Sequence, residues 1–176
     1  MTTEAEYAQR KAEQLSPAGT LTDEQLKAEV GAAFGRLAEE LQALSEAQST
    51  WKPDRDEWSA AAIGDHVALG TGAVGNITAM LARGERPGDE DWDPPPQLRG
   101  SAGDLDSVRS RILSLPQHTA ELFDRCAATN RTDVTSDNSF FGEMNWREWY
   151  YYLRVHALAH VEQVQKLRAM AGFPTS

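Results

Sequence analysis

Leu26, Val30, Phe34, Leu37, Leu41 and Leu44 follow one another at intervals of three and four. A helix with 3.6 residues per turn gathers all six on one face. The same signature recurs in three later stretches, and no convincing run alternates with period two. Each stripe needs another helix to cover it, so the chain is constrained to an all-α four-helix bundle. The first helix is predicted from about Asp23 to Ser49. Thr22 and Gln25 open it as a capping box, and Trp51-Lys52-Pro53 closes it, because proline disfavours helical backbone in the residue before it.

The second helix is predicted to start after Ser59 and end at Arg83, with Gly84 as its stop. Its apolar positions are Ile63, Val67, Val74, Ile77 and Leu81, and Gly64, Gly70, Gly72 and Gly75 lie in its interior. An interior glycine costs about 1 kcal/mol against alanine, which is usually offset by close helix approach or by room for a ligand. The third helix is predicted from about Leu105 to Ala128, with Val108, Ile112, Leu115, Leu122 and Cys126 on its stripe. Pro116 inside it removes one backbone bond and predicts a kink. After a polar loop from Asn130 to Met144, Asn145 and Glu148 open a fourth helix that ends near Ala171.

The Pro- and Gly-rich stretch 84–103 reads as a loop long enough to run the length of a bundle, so helices two and three need not be antiparallel neighbours. Trp92, embedded in it, is a candidate to line a pocket mouth. Residues 1–21 read as an N-terminal segment, partly ordered or forming a short helix, and residues 22–176 as the bundle domain.

The net charge of −10 repels phosphate backbones and anionic lipid, so neither nucleic acid nor a membrane surface is an expected partner. The single cysteine, Cys126, rules out an intrachain disulfide and reads as a small core residue. The acidic N-terminus has no apolar h-region, and no stretch approaches the ~20 apolar residues of a membrane span, so the expected compartment is the cytoplasm.

Chemistry enters with His156-Ala-Leu-Ala-His160. These two histidines fall on the fourth helix's apolar stripe, with Trp149, Leu153, Val164 and Leu167. A buried imidazole needs partners for its ring nitrogens. With His66 on another apolar helix, a divalent metal is one candidate partner, zinc or nickel first, held by three neutral imidazoles with a position left open. Ordinary hydrogen bonding of core histidines is the alternative, and the pattern leaves both open. There is no His-Glu-x-x-His, so the common zinc-protease arrangement is absent. His118, among charged neighbours, reads as a surface residue, and Asp54, Arg55, Asp56 and Glu57 as a solvated turn.

Three stretches together resemble the DinB-like superfamily of small bacterial metalloproteins. They are Trp58-Ser59-Ala-Ala-Ala-Ile63-Gly64-Asp65-His66, Phe141-Gly142-Glu143-Met144-Asn145-Trp146-Arg147-Glu148-Trp149, and His156-Ala-Leu-Ala-His160-Val-Glu-Gln163. The resemblance implies an up-down-down-up bundle and a metal held by His66, His156 and His160. Gln163 shares the face of His160 and is expected to support the site or line its pocket. Ala159 stands where the family often has arginine, a departure that bears on substrate contacts and not on the ligands. The resemblance includes S-transferases that use low-molecular-weight thiols, and metal-dependent hydrolases. The expectation is a metal-dependent enzyme that transfers such a thiol to a small electrophile, with hydrolysis or non-catalytic metal or ligand binding in a stress response as alternatives. A homodimer is also expected, from the resemblance and from the aromatic surplus at Trp146 and Trp149.

Overall fold

Capping side chains decide where most of the helices begin. The computed structural model describes residues 3–88, 104–129 and 131–175. In chain order the elements are α1 (Glu4–Gln14), α2 (Pro17–Thr20), α3 (Asp23–Gln42), α4 (Glu46–Thr50), α5 (Ala60–Arg83), α6 (Leu105–Ala127), β1 (Thr135–Asn138), β2 (Gly142–Asn145) and α7 (Trp146–Arg168). Thr3, Thr22, Ser45 and Asn145 each close a capping box, and Ser59 accepts from the Ala62 N–H. Gly84 ends α5 in the left-handed region at φ 86°, where a residue without Cβ is unstrained.

The four long helices are α3, α5, α6 and α7, and interhelix contacts give their directions. Lys27 pairs with Asp124 at 2.9 Å near one end, while Arg109 donates to the Leu41 carbonyl at 3.2 Å near the other, so α3 and α6 are antiparallel. Asp65 pairs with Arg111 at 2.5 Å and Gly75 lies beside Leu122, so α5 and α6 run parallel. Asp23–Arg147 at 2.7 Å and Glu29–Arg154 at 3.0 Å make α3 and α7 parallel. α5 meets α7 antiparallel, with Gly70 against His156 and His66 against His160. This is the up-down-down-up course, with α3 and α5 each packed chiefly on α6 and α7. The residues between α5 and α6 beyond Gly88, Trp92 included, lie outside the described part.

The core joins the four predicted stripes. Leu26, Val30, Phe34 and Leu37 of α3, Ile63 and Val67 of α5, Val108 and Ile112 of α6, and Trp149, Leu153 and Val164 of α7 are fully buried. At ~25 cal/mol per Å² of apolar area removed from water, these side chains supply most of the driving force for assembly.

Two expectations are corrected. The first predicted helix does not run to Ser49. It stops at Gln42, and Ser45 with Gln48 starts a separate short helix. The cause is partly tertiary: Arg109 of α6 donates to the carbonyls of Leu41, Gln42 and Leu44, satisfying acceptors that a continuous helix would have bonded itself. The polar loop before the last helix contains a small antiparallel hairpin, with Thr135 opposite Asn145 and Asn138 opposite Gly142. Its strands, Thr-Ser-Asp-Asn and Gly-Glu-Met-Asn, lack an alternating apolar pattern. The Asn138 side chain organises the turn by accepting from the N–H groups of Phe140 and Phe141.

α6 runs on through Pro116 as a single helix. Residues 3–21 fold against the bundle, with Leu15 and Ala18 buried. Lys11 pairs with Glu148 at 3.0 Å, and Arg147 donates to the carbonyls of Ala18 and Leu21, both at 3.2 Å. No helix among the described residues is long and apolar enough to cross a membrane.

Candidate metal centre

His66 lies in the second turn of α5, and His156 and His160 lie one turn apart on the facing side of α7. The antiparallel crossing brings the three rings together. His66 Nε2 stands 3.2 Å from His156 Nε2, and His160 Nε2 stands 3.1 Å from it. The ligand atoms of all three lie within 4.8 Å of one another. All three residues are partly buried. Trp58 meets the His66 ring edge-on at 4.8 Å, and Tyr152 stacks on the His156 ring at 5.8 Å.

The protonation pattern follows from the contacts. Gln163 Oε1 only accepts, so His160 Nδ1 donates to it across 2.8 Å, and a neutral His160 then presents a bare Nε2. Desolvation, reinforced by repulsion from His160 and His66, pushes the His156 pKa down to about 3. Desolvation also lowers the pKa of His160, against an opposing contribution from Gln163. The pair is therefore held neutral at neutral pH, the state in which imidazole can donate a lone pair.

Hydrogen bonding alone does not account for this geometry. A ring nitrogen has one in-plane lobe, either an N–H or a lone pair, and so makes one good hydrogen bond. His156 Nε2 has two nitrogen neighbours, at 3.1 and 3.2 Å. At least one of these contacts lacks a well-placed proton. Two nitrogens on one tetrahedral zinc stand about 3.3 Å apart, given Zn–N bonds of 2.0–2.1 Å. The observed spacings are close to this, so the donor set fits a divalent ion. His156 Nδ1 is buried with no hydrogen-bond partner among the described residues.

The other sequence candidates fall outside the cluster. His118 is exposed on α6, and Asp54, Arg55, Asp56 and Glu57 are exposed in the turn before α5. Cys126 is buried, and desolvation pushes its thiol pKa up, which disfavours a reactive thiolate. Asp65, next to His66 in sequence, turns away to pair with Arg111 and ties α5 to α6. Besides Trp58, two residues that sequence reasoning did not attach to the site belong to its walls. Tyr152 is one turn before His156, and Gly70 is one turn after His66, so helical spacing from the histidines was the signal that could have found them.

A family model described as the DinB superfamily matches residues 29–164. No match is found among curated proteins or among solved structures. The matched span covers most of the chain and includes His66, His156, His160 and Gln163, so the chain belongs to the DinB superfamily.

Proposed function

We propose that this protein is a metal-dependent enzyme that transfers a low-molecular-weight thiol to a small electrophile. The observation that carries the reading is the convergence of three Nε2 atoms from two helices, in a chain of this superfamily. His66, His156 and His160 would hold one divalent ion, zinc or nickel, through those atoms. Such an ion, when bound, lowers the pKa of a coordinated thiol and so supplies a thiolate near neutral pH.

The protein's own residues have three tasks in this reading. Gln163 fixes the His160 tautomer so that Nε2 faces the ion position. Burial keeps His156 and His160 neutral, so these two ligands add no charge beside the ion. Trp58 and Tyr152 wall the site. In the net step sulfur bonds to the electrophilic carbon, the bond from that carbon to its leaving group breaks, the leaving group departs with the electron pair, and the thiol proton passes to solvent. The resemblance also supports a homodimer as the working assembly.

Elemental analysis of protein purified without a His tag should find close to one ion per chain. His156→Ala should remove most of it and His118→Ala none, because only the first deletes one of three protein ligands. Turnover of a generic halide acceptor with bacillithiol, mycothiol and glutathione tests the transfer. Metal-dependent ester or amide hydrolysis without thiol turnover would replace it with the hydrolase reading. Metal binding without any turnover would leave a binding protein.

A further inference from the structure

His156 and His160 are held in different ways. The His160 ring is aimed by a hydrogen bond, from Nδ1 to Gln163 at 2.8 Å. His156 Nδ1 is buried and has no such partner among the described residues. A metal-ligating histidine almost always donates its second ring N–H to a carboxylate, carbonyl or water, and that bond sets the ring's orientation.

Packing is what the surroundings offer. Tyr152 stacks on the ring with centroids 5.8 Å apart and planes 27° from parallel. On the α5 side stands Gly70, where a Cβ would lie 3.4 Å from His156 Cε1. That distance is the close limit of ordinary van der Waals contact, and Cε1 is bonded to both ring nitrogens, so a shift of a few tenths of an ångström there also moves Nε2. Gly72, two residues on, is exposed, and a Cβ there would meet nothing within 4 Å. The interior glycines of α5 are therefore not equivalent. Gly70 borders the site, and Gly72 carries only the helix-propensity penalty.

We propose that Gly70 and Tyr152 are positioning residues that aim His156 Nε2 by shape, in place of the hydrogen bond that aims His160. This rests on the reading that the three histidines bind a metal ion. Tyr152 covers the ring face, and the missing side chain at Gly70 lets the ring edge approach the α5 backbone, which keeps His156 Nε2 beside His66 Nε2. Neither residue ligates the ion.

The test measures zinc affinity by competition with a chelating dye. The visible spectrum of the cobalt(II)-loaded protein reports coordination geometry, and circular dichroism reports folding. Tyr152→Leu should weaken zinc binding about tenfold or more and Gly70→Ala about threefold or more, both altering the cobalt bands, while Gly72→Ala and Tyr152→Phe should stay within about twofold of the unsubstituted protein. Tyr152→Phe keeps the ring and removes the hydroxyl, so it separates shape from hydrogen bonding. Should Gly70→Ala lose helicity, the two Tyr152 variants decide. Wild-type affinity and an unchanged cobalt spectrum in a folded Gly70→Ala would overturn the proposal, as would a Tyr152→Phe loss equal to that of Tyr152→Leu. If the unsubstituted protein takes up neither zinc nor cobalt, the metal reading itself has failed and this proposal falls with it. Zinc bound normally in the unsubstituted protein and lost in His156→Ala, but insensitive to Gly70 and Tyr152, removes the aiming role alone.

Discussion

Burial gives His156 and His160 a consequence for stability that is independent of any ion. The His156 pKa is pushed down to about 3 by desolvation and by its two histidine neighbours, and that of His160 is lowered by desolvation. In the unfolded chain both residues take up a proton near pH 6.5. Between the folded and unfolded values the unfolded state binds more protons, so stability rises with pH across that interval. Metal-free protein should therefore be progressively destabilised as pH falls from about 6.5 towards 3. Urea melts between about pH 7.5 and pH 5, mostly above the carboxylate range, check this against His156→Leu. The variant should show the shallower pH dependence. Equal slopes in the two proteins would mean that His156 titrates normally.

Within α5, the small residues have separate physical roles. A Cβ on Gly64 would stand 2.7 Å from Val108 Cγ1 and 2.9 Å from Leu41 Cδ1, at the seam where α3, α5 and α6 meet. Gly64→Ala should destabilise the protein by about 1–3 kcal/mol through overpacking, more than the ~1 kcal/mol of helix propensity it gains. Gly72→Ala meets no neighbour and should stabilise by about 0.5–1 kcal/mol. Thermal melts of the two variants should move in opposite directions, and a rise in both would refute the wedge at Gly64. At the end of α3, Ser45→Ala removes the acceptor for the Gln48 N–H and should cost about 0.5–2 kcal/mol by chemical denaturation.

Across the whole molecule, the parallel α5–α6 pair is tied by Asp65 and Arg111, and the N-terminal segment by Lys11 and Arg147. We treat residues 22–176 as the folding unit. Deleting residues 1–21 should lower the melting temperature, because Leu15 and Ala18 are removed from the core and Glu148 loses Lys11, while helicity and zinc binding persist. Loss of all cooperative unfolding on truncation would instead place the segment inside the unit. Trp146 and Trp149, which motivated the homodimer, are buried in the bundle, so the assembly rests on the family resemblance. Sedimentation at micromolar concentration checks it, and a single monomer boundary would remove it.

Whatever depends on one helix at a time was legible in the residues: the four stripes, the caps at Thr22, Ser59 and Asn145, the stop at Gly84, and the shared face of His156 and His160. Periodicity and capping are local, set by 3.6 residues per turn and by side chains within three residues. Tertiary structure decided the rest. Arg109 reaches α3 from a distant part of the sequence and caps its early end. The hairpin forms from polar strands whose pairing and turn hydrogen bonds leave no hydrophobic alternation to read. His66 meets His156 only through the phase and depth of the α5–α7 crossing, a matter of which ridge fills which groove. That same crossing sets Gly70 against the His156 ring, because the relation between two faces becomes visible only once both helices are packed.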